Sequence, residues 1–162
     1  MTKISTKPTP TNITTVLDIL KATPGQLYIC REHVDSPREP LAEGERSLVA
    51  TVAHLINCDA QTTQGIYLAL LRDTPTLLDL HPERDWGKLL QVETLDCDEL
   101  LAYFRVRRLM LMAVLERLSD DAWTRSVQPE NKKRTESVYY LARSLALHEQ
   151  AHVEELQTKG DI

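Results

Sequence analysis

Apolar residues recur along this chain at helical spacing in four long segments, and no segment of strict alternation competes with them. The first covers about residues 13–32. Within it, Thr23-Pro24-Gly25-Gln26 reads as a fresh helix start, with Thr23 as cap, Pro24 in the first turn and Gln26 completing a capping box, so a kink or short break is expected there. Residues 34–44, with Pro37, Pro40 and Gly44, read as a loop. The second helix is expected over about 45–72, with Leu48, Val52, Leu55 and Ile66 on its core side. A long connection follows over about 73–95, broken by Pro75, Pro82 and Gly87, with at most one turn at 76–80. The third helix starts at Asp96, a cap with Glu99 three residues on, and ends near Ser119. Its stripe is Leu101, Phe104, Leu111, Leu115 and Leu118. A second loop takes residues 120–134, and the fourth helix runs from Thr135, its expected cap, to about Thr158.

Four such helices bury their apolar stripes best against one another, so the expected fold is all-α, a four-helix bundle. The connection over 73–95 can span the full length of a bundle, since an extended residue reaches about 3.3 Å. That permits parallel second and third helices and an up-down-down-up order with a long crossover between them.

Composition narrows the picture. A chain of 162 residues favours one domain with one sizeable core, here residues 1–162, with 1–10 as a frayed polar tail. A formal charge of -5 and no basic stripe argue against nucleic acid. The one basic run, Lys132-Lys133-Arg134, reads as a solvated loop. Apolar runs fall far short of the roughly 20 residues a membrane-spanning helix needs, and no signal peptide is visible, so a cytoplasmic protein that avoids membranes is expected. Cys30, Cys58 and Cys97, odd in number and far apart, fit reduced thiols.

The densest chemistry lies in His148-Glu149-Gln150-Ala151-His152. Imidazoles four apart on a helix share a face, about 5–6 Å apart at Cβ, within reach of one metal ion. They flank the stripe of Val138, Leu141, Leu145 and Leu156, where a half-open site would be built; the other reading is two partly buried histidines bonded to neighbours. The segment also matches H-E-x-x-H, the zinc-protease pattern with the glutamate as base. That reading fails because no histidine follows His152, and Glu154 and Glu155 lie on the same helix. A third ligand must come from upstream, from His33, His54 or His81. Glu149 points about 100° away from His148, as a supporting or surface residue rather than a base. His54 lies off the core line of its helix, on a face with Ala50, Thr51 and Cys58, so spacing does not select it over His33. Cys58 beside it is either a soft ligand or an inert thiol.

Asp59 and Arg108 each stand where a leucine is expected on their helices. Burying either charge alone costs several kcal/mol. A salt bridge joining the second and third helices is the structural reading; an Arg108 that holds an anionic substrate is the functional one.

The stretch Glu45-Arg46-Ser47-Leu48-Val49-Ala50-Thr51-Val52-Ala53-His54-Leu55 and the closing His148-Glu149-Gln150-Ala151-His152 resemble two patterns of the DinB/YfiT-like superfamily of metal-binding four-helix bundles. The likeness covers nearly the whole chain, including Asp59 at a frequent acidic position and Arg108. It implies that His54, His148 and His152 form a three-histidine site. One departure is Arg46, where the family often has tryptophan before the serine. Relatives include thiol-dependent transferases and isomerases, proposed hydrolases and stress-associated proteins, and fold alone does not choose among them. The implied function is a metal-dependent enzyme holding Zn²⁺ or Ni²⁺, either a hydrolase or a transferase using a low-molecular-weight thiol, on a small-molecule substrate. The alternative is a non-catalytic, stress-associated metal-binding bundle, and a homodimer is the expected assembly. No residue stands out as a general base. Metal is expected to be lost below about pH 6, where ordinary histidines protonate.

Overall fold

The computed structural model describes residues 4–159. Four long helices dominate it: α1 (Pro10–Glu32), α2 (Leu48–Leu71), α4 (Cys97–Leu115) and α6 (Val138–Lys159). Between them lie two short helices, α3 (Lys88–Leu90) and α5 (Asp120–Thr124), and three strands, β1 (Thr76–Leu77), β2 (Ser126–Pro129) and β3 (Glu136–Ser137). None of the helices among the described residues is long and apolar enough to cross a membrane.

Local chemistry sets the helix starts. Ser47 caps α2 by accepting from the Ala50 N–H at 3.1 Å. At α4, the Glu99 carboxylate accepts from the Asp96 N–H at 3.3 Å. The fourth long helix begins later than Thr135, because residues 136–137 pair with β2 and the Ser137 hydroxyl takes the capping role, accepting from the Tyr140 N–H at 3.1 Å.

The break expected at Pro24 does not occur; α1 runs through it. Proline removes the N–H that would bond the carbonyl of Leu20, and an unpaired buried carbonyl is costly. Arg108 of α4 fills the gap, donating from Nη1 to the Leu20 oxygen at 3.1 Å. The Thr23 hydroxyl bonds back to the Ile19 carbonyl at 3.0 Å instead of capping a new helix.

The core forms two layers. One gathers Val16 and Leu20 of α1, Ile66 of α2, Leu111 of α4 and Leu145 of α6. The other gathers Leu27, Leu48, Leu55, Phe104 and Leu156. Along the chain, α1 runs from the first layer to the second, α2 and α4 from the second to the first, and α6 from the first to the second. Both α1 and α2 pack against α4 and α6.

An all-α fold is corrected by the small sheet. β1 pairs parallel to β2 through Thr76↔Gln128 and Leu77↔Pro129, and β2 pairs antiparallel to β3 through Ser126↔Ser137 and Val127↔Glu136. The sheet ties the two connecting segments together beside the start of α6. The rest of the crossover is a π-helical turn at Pro82–Gly87, α3, and a 3-10 turn at Val92–Thr94, and it packs along α2. Gly87 permits that approach, since a Cβ there would lie 3.1 Å from Asn57 Nδ2 of α2.

Residues 4–9, part of the segment expected to fray, are held. Ile4 is buried; the Tyr139 hydroxyl donates to the Ser5 carbonyl at 2.6 Å, and Arg143 donates to that of Ile4 at 2.6 and 2.9 Å. Residues 1–3 of that expected tail lie outside the described residues.

Candidate metal centre

His54 comes from the N-terminal half of α2, and His148 and His152 from successive turns of α6, so two helices close on one point. The Nε2 atoms of His54 and His152 each lie 3.2 Å from that of His148, and one ligand atom from each ring falls within 4.8 Å of the others. Metal–nitrogen bonds of about 2.0–2.1 Å place neighbouring ligand nitrogens roughly 2.8–3.4 Å apart across octahedral and tetrahedral geometries. The observed spacing falls in that interval.

Tautomers sharpen this fit. The Nδ1 of His54 meets Oε1 of Glu83, and the Nδ1 of His152 lies 3.5 Å from Oε2 of Glu155. A carboxylate only accepts, so in the neutral ring Nδ1 keeps the proton and Nε2 presents a lone pair. Two lone pairs thus converge on the Nε2 of His148, which has one in-plane proton or lone pair to offer. The proton of His148 can serve only one of those lone pairs, leaving the other to the Cys58 thiol 3.6 Å from the Nε2 of His54, whereas a single divalent cation would engage all three nitrogens. Carboxylates on the outer nitrogens are also the usual means of fixing metal-bound imidazoles.

Burial keeps the α6 pair neutral. Desolvation, reinforced by His152 and His54, brings the His148 imidazole down to about 4, and desolvation also lowers His152. Metal ligation needs the unprotonated ring, so the site is built in its binding form.

Glu83 is the residue that sequence reading missed. It rides on the π-helical turn of the crossover, where the Nδ1 of His81 accepts from the backbone N–H groups of Glu83 and Arg84 at 3.1 and 3.2 Å. His81, one of the three candidate ligands, therefore shapes the turn that delivers Glu83. His33 ends α1, its Nδ1 2.9 Å from the Ile29 carbonyl, and takes no part. Cys58 lies 3.6 Å from the Nε2 of His54 by its sulfur but outside the three-nitrogen cluster. Burial and the nearby Glu83 and Glu149 charges push its thiol up to about 12.

The pair expected between Asp59 and Arg108 is present at 3.2 Å, and it is part of a larger buried cluster. Arg108 grips Glu149 with Nη2 to Oε1 at 2.6 Å and Nη1 to Oε2 at 2.8 Å, while Arg107 binds the other oxygen of Asp59 at 2.7 Å. Of the two placements expected for Glu149, supporting or surface, the surface one is corrected: the side chain is fully buried and held by Arg108. Arg108 is likewise occupied by protein carboxylates. Burial raises the Glu149 carboxyl above its ordinary pKa, and Arg108 opposes the rise.

A cleft of about 410 Å³ opens beside the histidines, lined by Leu41, Arg46, Thr51, His54, His152 and Lys159 among others. Two of the three imidazoles therefore border space large enough for a small molecule, with the partly exposed His54 at its wall.

The sequence model of the DinB superfamily matches residues 9–156. Among solved structures, the chain is similar to YfiT from Bacillus subtilis, described as "a probable metal-dependent hydrolase with an unusual four-helix bundle topology". The two share 19% identity with a TM-score of 0.81, over 97% of this chain and 92% of that one. No curated protein matches the chain significantly.

Proposed function

We propose that this protein, which belongs to the DinB superfamily, is a metal-dependent hydrolase of small molecules, with His54, His148 and His152 as its ligands. The observation that carries the reading is the convergence of three Nε2 atoms beside an open cleft. Three protein ligands with a free side is the arrangement of catalytic sites, whereas structural sites are closed by a fourth protein ligand. The description of the YfiT structure points the same way.

A bound divalent cation would bring the pKa of a coordinated water toward neutrality and polarise the carbonyl or phosphoryl group of the substrate. The chain's own residues prepare this. Glu83 and Glu155 keep the protons of His54 and His152 on the outer nitrogens. Arg108 and Glu149 brace α6 against α4, fixing the height of His148 on its helix. The cleft wall of Leu41 and Leu156 gives an apolar surface for the body of the substrate.

Transfer to a low-molecular-weight thiol is the second reading, and one observation favours it. Both carboxylates at the cluster are engaged, Glu83 with His54 and Glu155 with His152 and Lys159, so none is free to take a proton from water. A thiol, with a pKa near 8.5, ionises far more readily than water and needs less help.

The deciding experiment is a panel of ester, amide and phosphoester substrates, with and without added thiol, run on zinc- or nickel-loaded protein beside His148→Ala. Turnover without thiol that disappears in the variant supports hydrolysis; turnover only with thiol supports transfer. Fully loaded protein with no turnover in either arm leaves a non-catalytic metal-binding bundle.

A further inference from the structure

We infer that Arg46 makes the cleft an anion site, so that the substrate carries a carboxylate or phosphate group beside its reacting centre. This rests on the metal-hydrolase reading and narrows it to acidic small molecules. Four charged side chains line the cleft: Glu45, Arg46, Glu155 and Lys159. Three of them are paired with one another and leave one negative charge over, because Lys159 reaches both Glu45 and Glu155 at 2.6 Å, and Glu155 also faces His152. Arg46 is the exception, exposed at the rim and without an ion pair or hydrogen bond among the described residues.

Charge accounting gives the sign of the ligand. The two carboxylates and two cations of the lining sum to zero, and Glu83 against His54 adds one negative charge. A divalent ion at the histidines would leave the whole group at about +1. Arg46, His54 and His152 line the same cleft, so a ligand held by the guanidinium lies against the metal-binding face. A guanidinium presents a planar fork that matches carboxylate and phosphate oxygens in pairs. Its place is fixed by sequence: it directly precedes Ser47, the cap of α2, and stands eight residues, about two turns, ahead of His54. An anion held by Arg46 would therefore be tethered at the rim while the rest of the molecule lies over the imidazoles.

The test is calorimetric titration of inorganic phosphate and of succinate into metal-free and zinc-loaded protein, for the wild type, Arg46→Gln and Arg46→Lys. Arg46 is an exposed residue ahead of the helix, so both variants are expected to fold; circular dichroism confirms it. The expected result is binding of at least one anion by both forms of the wild type, weakened about tenfold or more by Arg46→Gln and less by Arg46→Lys. The anion whose binding depends on Arg46 tells phosphate from carboxylate. Equal affinity in wild type and Arg46→Gln overturns the proposal, as does no binding by the wild type. Binding confined to the zinc-loaded form and indifferent to Arg46 also overturns it while leaving the metal reading intact. Arg46-dependent binding in a protein that hydrolyses nothing supports the anion site and removes the hydrolase.

Discussion

Arg108 and Glu149 meet at the centre of the bundle through two parallel hydrogen bonds of 2.6 and 2.8 Å, with both side chains buried. The same guanidinium bonds Asp59 of α2 and the Leu20 carbonyl of α1, so one side chain of α4 ties together all three other long helices. Arg108→Ala strands the buried Glu149 carboxylate and the carbonyl that Pro24 leaves unpaired, and leaves Asp59 to Arg107 alone. The expected loss is about 3–5 kcal/mol. Urea unfolding checks this; a loss below about 1 kcal/mol, the scale of an exposed pair, would contradict it.

Glu83 contacts His54 and lies outside the three-histidine cluster, so it would act on a bound ion only through that ring. Glu83→Ala should leave the bundle folded and lower metal affinity about 10- to 100-fold. Competition against a zinc chelator measures it. Unchanged affinity would mean that the ring of His54 is fixed by something else.

Cys58 sits beside the cluster without joining it. Cys58→Ser is expected to keep stoichiometric metal. With its thiol held up to about 12, native metal-free protein should also alkylate slowly at Cys58 near pH 8, and quickly once unfolded. Mass spectrometry of the modified peptides reads both rates; fast labelling of the folded protein would count against this burial.

For metal-free protein, acid acts through the histidines of α6. An ordinary histidine titrates at 6.5, whereas folding brings His148 down to about 4. Between those values the unfolded chain takes up a proton that the folded chain refuses. Stability therefore falls as pH drops from about 6.5 toward 4, and this contribution levels off below. Melting temperatures across that window should decline more steeply in wild type than in His148→Gln. Identical slopes would remove His148 as the cause.

Much of this was legible in the sequence. Leu48, Val52, Leu55 and Ile66 on α2, and Leu101, Phe104, Leu111 and Leu115 on α4, are buried as their spacing requires. Asp59 and Arg108 betrayed a buried pair because charges stood on apolar lines. Glu149 carries the same signal, four residues after Leu145 and seven before Leu156, but the H-E-x-x-H pattern drew attention to its neighbours. Glu83 had no such signal: it lies in a connection with no period, placed by a turn and by the close approach that Gly87 allows. The unbroken α1 was hidden for a related reason, since the partner that replaces the missing N–H of Pro24 lies on another helix, far along the chain. Strands of two to four residues are too short to alternate visibly, so the sheet escaped notice.

The central claim is that His54, His148 and His152 together hold one divalent ion. Its most direct test is elemental analysis of untagged protein, loaded with zinc and freed of excess by gel filtration, beside the three single alanine variants. The account predicts about one equivalent per chain in the wild type and near none in each variant that remains folded. A wild type that keeps no metal, or a His54→Ala variant that keeps its full complement, would contradict it.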